Sequence, residues 1–315
     1  MAKQMREVFG EMLVGLGQEN PDVFVLDADL CTSTMAHLFR DAFPRRFLQC
    51  GIAEQNMFGV AAGLAAAGAI PFPVTFAVFA TKRACDQVSI SIAYPKLNVK
   101  IPGSYPGLPT GKAGATHQSV EDLAIMRAMP HMMVVDPGDN EELRQVMSAS
   151  IEYSGPVYFR VTRASTADIP WPKGYRFQWG KAITLREGSD VTLIGTGFMT
   201  GLCLLAADAL VEKGVSARVD HHPCLKPLDR QAVEEAARVT GAIVTVENHS
   251  VLGGLGGAVA EVQTELCPVP QRRVGIRDRF VETGEIPELF DRYRMRVVDI
   301  IRAAEDVLRV KNERQ

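Results

Sequence analysis

The sequence predicts an α/β protein with two doubly wound domains, and three observations lead to this prediction. Short apolar runs typical of strands alternate with amphipathic helical stretches through both halves, as in parallel sheets covered by helices on both faces. The alternation fails over residues 164–182, where tryptophan, proline and polar residues indicate an ordered linker. With 315 residues, 47% of them hydrophobic, the chain can build two cores. We expect a first domain over 1–165, a linker over 166–186 and a smaller second domain over 187–315.

The elements of the first half can be placed from periodicity alone. Apolar residues at helical spacing predict a helix over 5–16, which Asn20-Pro21 ends, and a short buried strand follows over 23–26. Further strands are predicted at 72–76, 97–101, 132–135 and 157–161, with helices near 82–93, 118–128 and 139–152 between them. Because parallel strands end at one edge of a sheet, functional residues are expected just beyond their carboxyl ends.

The second half repeats this pattern. Strands are predicted at 191–194, 215–219, 242–246 and 273–276, and helices at 200–213, 229–239, 257–266 and 299–310. Two glycine-rich segments, at 195–201 and 253–257, precede helices but lack the dinucleotide-binding spacing and the phosphate-loop lysine. They are therefore interpreted as tight strand-to-helix turns.

Composition narrows the class of protein. A net charge of −3 argues against a nucleic-acid or membrane-surface role, and no apolar run is long enough to span a bilayer. Six scattered cysteines without a Cys-x-x-Cys pair indicate reduced thiols in a cytoplasmic protein. The first residues lead straight into a helix, so no signal peptide is expected.

The segment Gly51-Ile-Ala-Glu-Gln-Asn56 puts one carboxylate, Glu54, at the start of a helix. The run over 57–67 is small and apolar, so we expect a buried helix in which Gly59 and Gly63 let another backbone approach. The helix dipole favours a glutamate here, yet a buried carboxylate is costly unless it is paired or protonated. On position alone, Glu54 is a first-turn residue that caps its helix.

This motif and the small-residue helix after it resemble the pyrimidine-binding domain of thiamine-diphosphate enzymes, in the transketolase and deoxyxylulose-phosphate synthase group. The resemblance implies that Glu54 hydrogen-bonds the ring nitrogen of the cofactor's aminopyrimidine and so selects the tautomer that activates the thiazolium carbon. Leu225-Lys-Pro-Leu-Asp229 and Val246-Glu-Asn-His-Ser-Val-Leu-Gly-Gly254 resemble the transketolase C-terminal domain, which chiefly supports the dimer. The resemblance thus covers essentially the whole chain and corresponds to the C-terminal half of a transketolase.

Two further motifs occur in the family's order. In Thr75-Phe-Ala-Val-Phe79, the resemblance implies that Phe79 stacks on the aminopyrimidine with Phe76 beside it, although aromatic residues at a strand end are more often core. In Gly114-Ala-Thr-His-Gln118, it implies that His117 contacts the donor sugar's hydroxyls, where an imidazole can polarise a carbonyl or move protons. Without the motif, a histidine at a helix start is usually a capping or surface residue.

The resemblance also implies a cleft acid and a phosphate site. Asp29 matches an acid that lines the cofactor cleft, and Arg6, Ser33 and Arg163 match positions that bind the substrate's phosphate. Two guanidiniums and a hydroxyl suit a dianion. Any one of these arginines alone would be interpreted as a solvated surface charge.

The chain departs from the family at the substrate end of the site. Transketolases carry Gly-Glu-Asp-Gly where this sequence has Lys112 and Ala113 between glycines, and Tyr105 replaces a histidine of the preceding loop. A site built for one hydroxyl pattern strongly rejects analogues. We therefore expect these three residues to alter specificity, with a branched ketose such as apulose 4-phosphate as a candidate donor.

The sequence offers no evident site for the cofactor's diphosphate. Mg²⁺ prefers octahedral oxygen ligands together with phosphates, and the family's Gly-Asp-Gly is not found, so no metal ligand is assigned in this chain. The interpretation is a half enzyme that needs an N-terminal subunit carrying the diphosphate-binding domain and most of the Mg²⁺ ligands. We expect an α2β2 assembly with thiamine diphosphate shared between the chains.

Two alternatives stay open at this point. The beta subunit of a 2-oxo acid dehydrogenase shares the domain order and the activating glutamate. A non-catalytic scaffold subunit is the other, although the presence of Glu54, Phe79 and His117 argues against it.

Overall fold

The computed structural model describes residues 3–163 and 166–313, which form two sheets with helices on both sides. The helices are α1 Met5–Glu19, α2 Cys31–Thr34, α3 His37–Ala42, α4 Glu54–Ala66, α5 Asp122–Ala128, α6 Asn140–Glu152, α7 Met199–Val211, α8 Arg230–Thr240, α9 Leu255–Leu266, α10 Ile286–Arg292 and α11 Val297–Glu313. The strands are β1 Val23–Asp27, β2 Phe47–Gln49, β3 Ile70–Phe76, β4 Lys100–Ser104, β5 Met133–Val135, β6 Val157–Val161, β7 Ile183–Arg186, β8 Val191–Gly195, β9 Ala217–His221, β10 Cys224–Lys226, β11 Ile243–Ser250 and β12 Gln271–Ile276. The predicted α/β class with two doubly wound units is confirmed.

The first sheet has the strand order β10-β5-β6-β4-β3-β1-β2. Its strands pair in parallel except β10, which runs antiparallel to β5 at one edge. Helices α1, α3 and α6 pack together over an apolar cluster that contains Phe9, Phe39 and Phe72. The carboxyl ends of β1, β3 and β4 meet at one edge, and the candidate site lies there.

The second sheet has the order β12-β11-β8-β9-β7, with β7 antiparallel at its edge. Helices α7 and α11 cover one face around Leu193, Val219 and Val244. On the other side, residues of α8 and α9 belong to the same apolar cluster as Met57 and Phe58 of the first unit. The two cores are therefore continuous.

A buried ion cluster also ties the two sheets together. Arg160 of β6 donates to both carboxylate oxygens of Asp122, at 2.6 and 2.7 Å, and to the carbonyl of Asn248 on β11 at 3.0 Å. Burial alone would raise the pKa of Asp122, but the Arg160 guanidinium lowers it below its ordinary value. At Asp136, 3.3 Å from Arg160, burial outweighs the same attraction and raises the pKa to about 6.

Side-chain caps explain where two helices begin. Asp139 accepts a hydrogen bond from the Glu142 N–H at 2.9 Å at the start of α6, and Asp229 accepts from the Ala232 N–H at 3.2 Å at the start of α8. Such caps satisfy amide groups that have no partner inside the helix.

Several predicted bounds were wrong. The strand expected at 97–101 lies at Lys100–Ser104, where its pairing with β6 fixes the register. The helix expected at 82–93 is two π-helical segments, Phe79–Arg83 and Gln87–Ala93. The last residues of the predicted linker, Ile183–Arg186, form strand β7.

Helix α4 is also less buried than its composition predicted. Met57, Phe58 and Ala61 face the core, but Gly59 and Gly63 are exposed. Apart from the adjoining residues and backbone of α4 itself, no atom of the described chain lies within 4 Å of a Cβ built on either glycine. Small residues alone do not decide which face of a helix is covered. No helix in the described ranges has both the length and the apolarity needed to cross a bilayer.

Candidate active site

Glu54 is the first residue of α4 and is almost completely buried, with 1% of its side chain exposed. The chain reaches it from β2 through Gly51, whose φ of +70° favours glycine. Ala53, with φ of −146° and ψ of 63°, precedes the helix, and its carbonyl accepts a hydrogen bond from the Met57 N–H. Sequence and local geometry thus bring a carboxylate to the positive end of a helix dipole.

Arg83, which the sequence analysis missed, is the charge partner of Glu54. Its Nη1 donates to both carboxylate oxygens at 2.8 Å, and its guanidinium lies 4.3 Å from the ring centroid of Phe79. The ion pair with Arg83 compensates the negative charge of the buried Glu54 carboxylate. The only sequence signal for this partner was a basic residue four positions after Phe79. The π-helical turn that joins Phe79 to Arg83 could not be predicted from helical spacing.

The predicted aromatic residues form one cluster with the predicted histidine. Phe76 stacks on Phe79 at 5.9 Å and on Tyr105 at 4.4 Å. His117 meets both phenylalanines edge-on, at 5.8 Å from Phe76 and 5.5 Å from Phe79. Leu30 packs against the same cluster from the end of β1. Residues from four separate parts of the sequence thus meet at the carboxyl ends of the strands.

The three residues expected to bind phosphate also converge. Arg6 donates to the Tyr105 hydroxyl at 2.8 Å, and both groups donate to the carbonyl of Ser33, at 3.1 and 2.9 Å. Arg163 is exposed, with its guanidinium 5.2 Å from the Tyr105 ring centroid. Tyr105, with φ of +62°, therefore connects this cationic group to the aromatic cluster. The main chain of Ser33, rather than its hydroxyl, makes these contacts.

The remaining predicted residues lie nearer to solvent. Lys112 and Ala113 are exposed, and the Lys112 ammonium pairs with Glu285 at 2.7 Å. Asp29 is exposed in a left-handed conformation, with φ of +63°. Two residues earlier, Asp27 is buried, and burial raises its pKa despite hydrogen bonds from Gln49 and the Leu30 N–H.

The donor set fits the aminopyrimidine of thiamine diphosphate. The site supplies a buried carboxylate that accepts hydrogen bonds and a partly exposed aromatic ring on Phe79. In addition, the buried hydroxyls of Thr75 and Ser104, at the ends of β3 and β4, have no hydrogen-bond partner among the described residues. Unsatisfied buried polar groups are uncommon without a ligand or water. For the metal, no three His, Cys, Asp or Glu side chains in the described ranges come together in a possible metal site.

Comparisons with known proteins identify the family. Residues 1–168 match the family model of the transketolase pyrimidine-binding domain, and residues 180–300 match that of the transketolase C-terminal domain. The chain is 44% identical over 310 residues to the 6-deoxy-6-sulfo-D-fructose transketolase subunit SqwH of a Clostridium species, covering 98% of this chain and 96% of that one. It is 39% identical to one subunit of the apulose-4-phosphate transketolase of Phocaeicola vulgatus, over 91% and 92% of the two chains.

Solved structures give the same result. A structure described as a split-gene transketolase in an inactive β4 tetramer matches with a TM-score of 0.89 and 46% identity, over 98% of this chain and 99% of that one. The transketolase of Campylobacter jejuni, at 23% identity and a TM-score of 0.79, shares the fold, and this chain covers 45% of its length. The chain therefore belongs to the transketolase family and corresponds to the C-terminal subunit of a split transketolase.

Proposed function

We propose that this chain provides the pyrimidine-binding half of the active site of a two-subunit transketolase, which transfers a two-carbon ketol unit from a ketose to an aldose. The observation that carries the proposal is the buried Glu54 carboxylate beside the Phe79 ring and Arg83. Thiamine diphosphate, when bound, supplies the carbon nucleophile that this reaction needs. The first domain, over 1–165, holds these residues, and the domain over 187–315, joined through 166–186, supports the assembly.

The roles of the chain's own residues follow from their positions. Glu54 accepts a hydrogen bond from the aminopyrimidine ring nitrogen, and its buried setting keeps competing water away. Phe79 would fix the plane of that ring by stacking, with Phe76 beside it, and Asp29 would line the cleft. His117, edge-on to both phenylalanines, is placed to hold or move a proton at the substrate's oxygen atoms.

The donor is proposed to be a ketose with an anionic end. Arg6 and Arg163 flank Tyr105, and two guanidiniums bind either a phosphate or a sulfonate well. The two relatives are named for 6-deoxy-6-sulfofructose and apulose 4-phosphate, which both carry such a group. With Lys112 and Ala113 in place of the family's acidic pair, we expect Tyr105 to set the preference among these donors.

The partner is proposed to be an N-terminal subunit with the diphosphate-binding domain and the Mg²⁺ ligands, in an α2β2 assembly. The exposed glycines of α4 and the nearby Ile52, which is 74% exposed, offer a surface for that subunit beside Glu54. A cytoplasmic location is supported by the six cysteines, which are all free.

A product screen tests this function. The chain is co-purified with the diphosphate-binding subunit, supplied with thiamine diphosphate and Mg²⁺, and assayed with 6-deoxy-6-sulfofructose, apulose 4-phosphate, xylulose 5-phosphate, fructose 6-phosphate and pyruvate. We expect ketol transfer from at least one of the anionic ketoses. Turnover of pyruvate alone would instead identify a 2-oxo acid dehydrogenase subunit, and a pair inactive on every compound would reject the proposal.

A further inference from the structure

A second group of arginines lies at the β12 edge of the second sheet, on residues other than those of the aromatic cluster. β12 is an edge strand, and together with the segment after it, the end of α10 and the start of α11 it lines a cleft of about 780 Å³. Seven arginines and three carboxylates line this cleft, in a chain whose net charge is −3. The local excess of positive charge is therefore not a property of the whole surface.

Three of the seven arginines are already paired with acids. Arg292 lies 2.8 Å from Glu282, Arg302 3.4 Å from Asp299, and Arg272 3.8 Å from Asp306. These ion pairs neutralise part of the positive charge of the cleft and connect the segments that line it. They leave the unpaired arginines to define its net charge.

Of the other four, Arg277, Arg279 and Arg294 have no carboxylate within ion-pair distance in the described part of the chain. The Arg273 side chain lies instead against Gly256 at the start of α9, on the other face of β12. Mutual repulsion between guanidiniums in one cleft is unfavourable without a bound anion.

Main-chain contacts fix the directions of two of these three guanidiniums. Arg277 donates to the Arg273 carbonyl at 3.3 Å. Arg279 donates to a carbonyl of α10 at 2.9 Å and lies 4.5 Å from the centroid of the Tyr293 ring. Each guanidinium has five N–H donors, so each keeps several for a ligand. A site with fixed donors binds with a smaller loss of entropy.

We propose that this cleft binds a polyphosphate anion, either as inorganic polyphosphate or as the phosphate chain of a nucleotide. Guanidiniums pair bidentately with phosphate oxygens, and several adjacent phosphates match several adjacent arginines. The volume lies in the range of small-molecule pockets, about 300–1,000 Å³, so a compact ligand fits better than a protein surface. Phe280, next to Arg279 and 78% exposed, is placed to stack on a nucleobase.

Titration calorimetry on the full-length chain, and on the pair with its diphosphate-binding subunit, tests the proposal. The probes are pyrophosphate, tripolyphosphate, ADP and ATP, with sulfate and orthophosphate as single anions. The test variant is the double substitution Arg277→Ala and Arg294→Ala. The control is Arg230→Ala with Arg238→Ala, which removes the same charge from exposed ion pairs on α8.

We expect saturable binding of one polyphosphate per chain, with the test variant about 10-fold or more weaker and the control within about 2-fold of wild type, the difference expected for lost charge-assisted hydrogen bonds. Nucleotides binding more tightly than pyrophosphate would identify a nucleotide site, and equal affinities would identify a phosphate-chain site. Absence of saturable binding, equal weakening by both double variants, or equal affinity for sulfate would overturn the proposal. Circular dichroism confirms that each variant is folded.

Discussion

Glu54 in the first unit and Glu247 in the second are both buried beside the start of a helix, and different groups cover the two carboxylates. Glu54 starts α4 in the first unit, and Glu247 reaches from β11 to the start of α9 in the second. Both side chains are almost completely inaccessible to solvent. Since their burial is the same, burial does not distinguish a candidate functional carboxylate from a structural one.

The groups that contact the two carboxylates distinguish Glu54 from Glu247. Glu247 accepts hydrogen bonds from the Leu255 and Gly256 N–H groups at 2.7 and 2.9 Å. A Cβ built on Gly254 would lie only 2.0 Å from the Glu247 Oε2, so the backbone of this turn covers the carboxylate. Glu54 is instead covered by the side chain of Arg83, which is 44% exposed. A flexible side chain can move aside for a ligand, whereas a helix terminus cannot. This difference supports the proposed role of Glu54 in cofactor binding and is consistent with a structural role for Glu247.

The largest expected effect comes from making the same substitution at both glutamates. In the reconstituted two-subunit enzyme, we expect Glu54→Gln to lower kcat by about 10²–10⁴-fold, the usual range for lost acid–base assistance. Glu247→Gln should keep kcat within about 3-fold of wild type, because it touches neither the aromatic cluster nor a reacting group. Initial rates at saturating donor measure both. A Glu54→Gln enzyme with wild-type turnover would support a non-catalytic scaffold, and equal losses in the two variants would remove the distinction between the glutamates.

The second prediction concerns pH. Burial raises the pKa of Glu247 to about 7, although the two N–H groups oppose the shift. Because this pKa is higher in the folded than in the unfolded state, its contribution to stability is present below its ordinary pKa of 4.5 and is lost as the pH rises towards 7. From pH 4.5 to 8, the loss is on the order of 3 kcal/mol at 1.36 kcal/mol per pKa unit.

Urea unfolding of wild type and Glu247→Gln across this range measures that loss. The variant should be less stable overall, since one N–H loses its acceptor, but its stability should fall less with rising pH than that of wild type. The other titrating groups are present in both proteins, so the difference between the two slopes reports Glu247. Parallel pH profiles would show that Glu247 does not titrate in this range.

The glutamate comparison also shows how much of the molecule the sequence could predict. Periodicity placed most helices and strands, because burial of one face is encoded in local spacing. The motif around Glu54, with Phe76, Phe79 and His117, indicated residues that the fold brings together. The position of each side chain within that group depends on contacts between distant segments, which local spacing does not encode.

Arg83 and strand β10 are features that the sequence could not predict. Arg83 reaches Glu54 only through a π-helical turn, and the short β10 joins the first sheet although it lies in the second half of the sequence. The pairing of Lys112 with Glu285 likewise joins residues far apart in sequence. In each case the contact joins segments that are distant in sequence, which intrinsic propensity and local spacing do not encode.

The smallest expected effect isolates the contact between Arg83 and Glu54. Because the Arg83 side chain is nearly half exposed, solvent screens the pair, and we expect a coupling free energy of about 1 kcal/mol between the two residues. A double-mutant cycle measures it, with Arg83→Ala, Glu54→Gln and their combination, from urea unfolding of the isolated chain at pH 7. The matched control replaces Arg83→Ala by Lys82→Ala, since Lys82 is the adjacent cation and pairs with Glu121 instead. The control cycle should give no coupling within error. If the Arg83 cycle also gives none, the guanidinium does not stabilise the buried carboxylate. The contrast with Glu247 must then rest only on whether a side chain or the backbone covers each carboxylate.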